Sequence, residues 1–188
     1  MPSPTGSLRL FFALRPAREL AGALVDAVAP LTVQMHGQLV PPSNVHATLC
    51  FIGAVAPDRL EDLKTAARSI RGAPDELHFD ALDVWEKPRI LCGVTRRASR
   101  AAVALADAVR DAAVAAGFQP DDKPFRPHLT LARKVSLPLA KQFTWPREIS
   151  PGFVVRYDEF ALMESRRGEH GSIYSVVDSW PLYGSAEG

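Results

Sequence analysis

The stretches NVHATLCFIG (44–53) and RPHLTLARKV (126–135) carry one pattern twice: a His, any residue, a Thr and a Leu, 82 positions apart. With only five His in 188 residues, two matched settings are a poor fit to chance. Both stretches are rich in β-branched and alternating apolar residues, which predicts strands. In a strand, residues i and i+2 share a face, so His46 falls with Thr48 and His128 with Thr130. Leu49 and Leu131 then point the other way, into packing. A helix and a proline-containing lead-in precede each motif, a loose duplication that places the two strands across a cleft between two lobes.

Working outward, LRLFFAL (8–14) is an apolar run and a strand, and residues 1–7 read as a flexible leader. Residues 17–30 space Leu20, Leu24 and Val28 at helical intervals and stop at Pro30. A polar, proline-rich connection fills 31–44, and 57–74 is a helix ended by Gly72 and Pro74. Residues 76–86 and 88–95 pair as strands around Lys87–Pro88. Residues 99–118 form a helix with Ser99 as N-cap, Gly117 as stop, and a face of Val103, Ala106, Val109 and Val114. FVVRYDEFALMES (153–165) and SIYSVVDSWPL (172–182) make a late antiparallel pair around RRGEHG. The order is α+β, with no linker that separates domains, so residues 1–188 read as one domain of two interleaved lobes.

Composition narrows the chemistry. The chain is 47% apolar and 23% charged, ordinary for a soluble globular protein, and its net charge of +1 leaves polyanion recognition to local groups. No apolar run approaches the ~18–20 residues of a bilayer span, which sets a cytoplasmic expectation with no membrane partner. Cys50 and Cys92 sit in apolar runs and read as buried thiols of a reducing compartment. Neither stands at a helix start or beside a base, and no GxSxG, Walker loop or GxGxxG occurs. His46 and Cys50 lie about 13 Å apart at strand rise, too far to share a metal. No metal or cofactor is expected.

Two imidazoles can divide proton transfer, one neutral as base and one protonated as acid, and Thr hydroxyls can donate to the oxygens of an anion. Such a set suits in-line attack of water on a phosphodiester. Arg133 lies five positions after His128, so it reaches the same face only if the strand bends. Lys123, Arg126 and Lys134 add local charge. Arg89 and Trp85 flank the middle turn and can reach the cleft rim, though packing is the simpler role for Trp85. Phe11 and Phe12 point to opposite faces of the first strand, one into the core and the other free to stack on a base. His36, His78 and His170 lack matching context and read as surface or structural.

At these residues the chain resembles the 2H phosphoesterase superfamily, and within it the RNA 2′,3′-cyclic phosphodiesterases, also called 2′-5′ RNA ligases. The resemblance runs through RLFFAL, LVPPSNVHATLCFIG, PRILCGV, PFRPHLTLARK and SIYSVVDSWPL. Ala47 departs from the Leu usual there, at a position that faces away from the cleft. The resemblance implies a bilobal fold of pseudo-twofold-related lobes, antiparallel sheets flanked by helices around a central cleft. It implies action on RNA 3′ ends or nucleoside 2′,3′-cyclic phosphates, hydrolysed to a 2′-phosphate, and a monomer is the expected state. His46 would be the proton donor and His128 the proton acceptor, with Thr48, Thr130 and Arg133 on the phosphate. Phe11, Phe12, Arg89 and Arg126 are candidate substrate contacts. The alternatives are ligation or another cyclic nucleotide at the same site, or a non-catalytic RNA- or nucleotide-binding module.

Overall fold

The computed structural model describes residues 6–169 and 171–183, which build two antiparallel sheets facing each other across a cleft. The first contains β1 (Leu8–Leu14), β3 (Ala47–Val55), β8 (Glu159–Gly168) and β9 (Gly171–Pro181), in the order β3-β1-β8-β9. The second contains β2 (Gln38–Leu39), β4 (Asp75–Trp85), β5 (Ile90–Val94), β6 (His128–Arg133) and β7 (Arg147–Tyr157), in the order β2-β6-β5-β4-β7. The two motif strands, β3 and β6, therefore belong to different sheets. This is the α+β, two-lobed architecture that the paired motifs imply.

Helices cover the outer faces. α1 (Arg18–Gln34) packs on β2 and β6, α2 (Leu60–Arg68) on α3 and β9, and α3 (Arg100–Ala115) on β3 and β4. The chain thus crosses between lobes: α1 follows a strand of the first sheet but lies on the second. A short α4 (Leu137–Ala140), not foreseen from the sequence, follows β6. One large core joins these layers, beside a small second cluster of Phe11, Ala13, Ala161 and Met163. Phe12 lies in the large core with its ring centroid 6.1 Å from Phe160 and 5.9 Å from Trp180.

Several boundaries differ from the sequence reading. α1 runs through Pro30 instead of stopping there, because its buried face continues past the proline through Thr32 to Met35 at the C-cap. An interior proline costs about 3 kcal/mol, so packing must outweigh it. The connection after it is not structureless, holding β2 and a 3-10 turn at Pro42–Asn44. The next helix is shorter than 57–74: a 3-10 turn at Pro57–Arg59 leads into α2, whose end at Arg68 is closed by Ser69 Oγ donating to the Ala66 carbonyl at 2.7 Å. α3 has its expected cap, with Ser99 Oγ accepting from the Ala102 N–H at 3.0 Å. Its buried face is Ala102, Leu105, Ala106, Val109 and Ala113, while Val103 and Val114 are exposed. FVVRYDEFALMES is two strands, because the chain leaves the second sheet at Tyr157 and enters the first at Glu159. The β8–β9 hairpin forms as expected, whereas His170 and residues 1–5 of the leader lie outside the described residues.

Candidate active site

Both motifs contain a β-bulge at the same place. In β3, Thr48 pairs with Ala13 and Cys50 with Phe12, leaving Leu49 as the extra residue. In β6, Thr130 pairs with Cys92 and Ala132 with Leu91, leaving Leu131 as the extra residue. A bulge inverts the alternation beyond it. Residue i+5 of each motif therefore joins the face of i and i+2 and does not oppose it. That is how Arg133, paired with Ile90, comes to line the cleft beside His128 and Thr130. The matching position of the first motif is Phe51, paired with Phe11 and 43% exposed in the cleft beside His46 and Thr48. Leu49 and Leu131 are buried in the core behind the motifs, and Ala47 faces away from the cleft as expected.

The two imidazoles are held identically. His46 Nδ1 lies 2.8 Å from the carbonyl of Asn44, and His128 Nδ1 lies 2.8 Å from the carbonyl of Arg126. A carbonyl only accepts, so each Nδ1 carries the hydrogen and each Nε2 is left with its lone pair. Burial lowers the pKa of His46 to about 4; the Asn44 hydrogen bond opposes this, while His128, Arg133 and Arg15 add to it. Burial also lowers His128, opposed by the Arg126 carbonyl and reinforced by the charges of Arg126 and Arg133. Both rings are therefore neutral at pH 7.

Aromatic rings fix these imidazoles in place. Phe11, beneath His46, has its centroid 4.9 Å from that ring, and Tyr174 of β9 meets it edge-on at 5.0 Å. Tyr174 also accepts a hydrogen bond through its hydroxyl from Arg133 Nη2 at 3.2 Å, so a residue of the first sheet contacts both motifs. On the opposite wall Trp85 lies 4.4 Å from His128, with the Arg126 guanidinium 5.0 Å from the Trp85 ring. The cleft has a volume of about 1600 Å³, larger than the roughly 300–1,000 Å³ of a small-molecule pocket.

Four of the candidate substrate contacts do not line the cleft. Phe12 is core, and Phe11, at 1% exposed, supports His46 from below, so neither offers a face to a base. Arg89 bonds the Val135 carbonyl through Nε at 3.3 Å and does not line the cleft. Arg126 does not line it either, since its guanidinium is spent on Trp85. His78 pairs with Glu76 at the surface and His36 is exposed, as expected. Cys50 and Cys92 are buried free thiols, pushed by burial up to about 11 and about 12. Among the described residues no cluster of three His, Cys, Asp or Glu could hold a metal, and no helix is long and apolar enough to cross a membrane. Phe51 and Tyr174 were missed from sequence, and only the position of Phe51, matching Arg133, offered a signal.

This bulged two-motif cleft defines a 2H phosphoesterase site, and the chain belongs to the 2′-5′ RNA ligase superfamily, whose model matches residues 16–169. The RNA 2′,3′-cyclic phosphodiesterase of Escherichia coli K12 is 30% identical over 93% of this chain and 96% of its own length. The enzyme of the same name from Thermus thermophilus is 28% identical over 94% of this chain and 91% of its own length. Among solved structures, E. coli LigT in its apo form superposes with a TM-score of 0.83 at 27% identity, covering 96% of this chain and all of that one. The same protein complexed with 3′-AMP gives 0.81 at 27% identity, covering 94% and 98%.

Proposed function

We propose that the protein is an RNA 2′,3′-cyclic phosphodiesterase, a hydrolase that opens a terminal 2′,3′-cyclic phosphate to a 2′-phosphate. The observation that carries this is the matched pair of imidazoles, each anchored through Nδ1 and offering Nε2 to one cleft. His128 takes a proton from water as its oxygen bonds to phosphorus. The P–O3′ bond breaks, and His46 gives its proton to the departing O3′. Thr48, Thr130 and Arg133 donate to the non-bridging oxygens, whose charge they stabilise from fixed positions. Phe51, exposed where the other motif has its Arg, is the surface on which a base stacks. The scheme needs no metal, and we take the protein to act in the cytoplasm as a monomer.

An imidazole with a pKa of about 4 can serve as acid only if it gains a proton with the substrate. The phosphodiester supplies the reason. A unit negative charge about 4 Å away is worth about 4 kcal/mol at an effective dielectric near 20, or about three pKa units. The E. coli relative complexed with 3′-AMP supports a nucleotide in this cleft. Ligation is the same chemistry with a 5′-hydroxyl in place of water.

The test is incubation of an oligoribonucleotide bearing a 2′,3′-cyclic phosphate with the protein in EDTA, followed by analysis of the phosphate position. The expected product is the 2′-phosphate; a cyclic end that persists would sink the proposal.

A further inference from the structure

We propose that Tyr174 is a positioning residue that locks the two half-sites into register by orienting Arg133 without neutralising it. The proposal rests on the phosphodiesterase reading above. Tyr174 sits on β9 of the first sheet, yet its hydroxyl reaches Arg133 of the second at 3.2 Å while its ring edge packs on His46 at 5.0 Å. Its ring is itself held by Phe11, edge-on at 5.4 Å. One rigid side chain thus spans the cleft between the motifs.

The identity of the partner matters. A guanidinium has five N–H donors, and one bond to a phenol oxygen leaves the rest for an anion. Among the described residues no carboxylate lies within ion-pair distance of Arg133, so its charge is uncompensated until a phosphate arrives. A carboxylate at position 174 would orient the guanidinium equally well but cancel the charge the substrate needs. A phenol supplies direction alone. The ring already packs edge-on against Phe11 and His46 before substrate arrives, so orienting it costs little further side-chain entropy at the moment of binding.

Tyr174→Phe keeps the ring and removes only the hydroxyl. It should lower kcat/KM for a cyclic-phosphate oligonucleotide about tenfold, the order expected for losing one hydrogen bond to a charged group. In an Arg133→Ala background the same change should have no further effect, because its only target is gone. A merely structural role would give equal losses in both backgrounds, and that result overturns the proposal, as does an undiminished Tyr174→Phe enzyme. The same four proteins titrated with adenosine 2′-monophosphate give a second cycle that does not depend on turnover. Coupling in binding without any turnover would sink the reaction while sustaining the role of Tyr174. Additive binding losses would sink that role even in an active enzyme, and a wild-type protein that binds no phosphate would overturn both.

Discussion

At His46 and His128 the decisive quantity is how strongly burial disfavours the imidazolium. The free enzyme has His46 at about 4 and His128 below its ordinary value. The productive form carries one proton shared between the two, so it is most populated between their macroscopic pKa values. Above the upper one it falls tenfold per pH unit. We therefore expect kcat/KM, which reports the free enzyme, to peak below about pH 6.5 and decline toward pH 8. The kcat profile should extend to higher pH, because bound phosphate raises the imidazolium pKa. Coincident profiles, or a kcat/KM rising to pH 8, would contradict the assigned environment. His46→Ala and His128→Ala should each lower kcat by several orders of magnitude in the same assay, with the double variant little worse, since acid and base act as a unit. Phe51→Ala should raise KM roughly 5- to 150-fold for a nucleotide substrate, the 1–3 kcal/mol of one stacked base, and should spare a ribose cyclic phosphate lacking the base.

At the scale of elements, the sequence revealed the motif strands but not how they are bent. Strict alternation puts Arg133 opposite His128, and the bulge at Leu131 reverses this. Nothing in HLTLAR marks that bulge, because Leu131 and Ala132 are both apolar and both buried. The same inversion at Leu49 hid Phe51. The break between β7 and β8 was illegible for a related reason. β8 is central and covered on both faces, so Phe160, Ala161, Leu162 and Met163 are all buried and the run reads as continuous with FVVRY. Tyr174 lay in a strand that was located correctly, but its reach across the cleft depends on which sheet β9 joins. A neighbouring irregularity offers a test of the second sheet. β4 and β7 slip register between Phe79 and Ala81, and there a Cβ on Gly152 would come 2.7 Å from the Phe79 carbonyl oxygen. Backbone cannot yield as a side-chain tip can. Gly152→Ala should destabilise the fold by about 1–3 kcal/mol in denaturant unfolding, and an unchanged midpoint would show that the strands rearrange cheaply.

For the whole molecule, the near-zero net charge and the large cleft together set how substrate length is felt. With 22 Lys and Arg against 21 Asp and Glu, no global field gathers RNA, so attraction is confined to the cleft. Of its cationic lining, Lys123 is paired with Asp121 and Arg166 with Glu164. Arg9, Lys87, Arg133 and Arg167 also line it. None of these four forms an ion pair within the described residues. A cyclic mononucleotide brings one phosphate and can engage chiefly Arg133, whereas an oligonucleotide in about 1600 Å³ can bring further phosphates to the others. Each neutralised phosphate of a single strand contributes about −0.7 to the slope of log affinity against log salt. The mononucleotide should therefore show a slope near −0.7 and an oligonucleotide of several residues a slope between about −2 and −3. Arg133→Ala should flatten both by about 0.7, while Arg9→Ala and Arg167→Ala should flatten only the oligonucleotide's. Equal slopes for the two substrates would mean that the cleft reads the terminal nucleotide alone, and a slope steeper than about −4 would require cations beyond those that line the cleft.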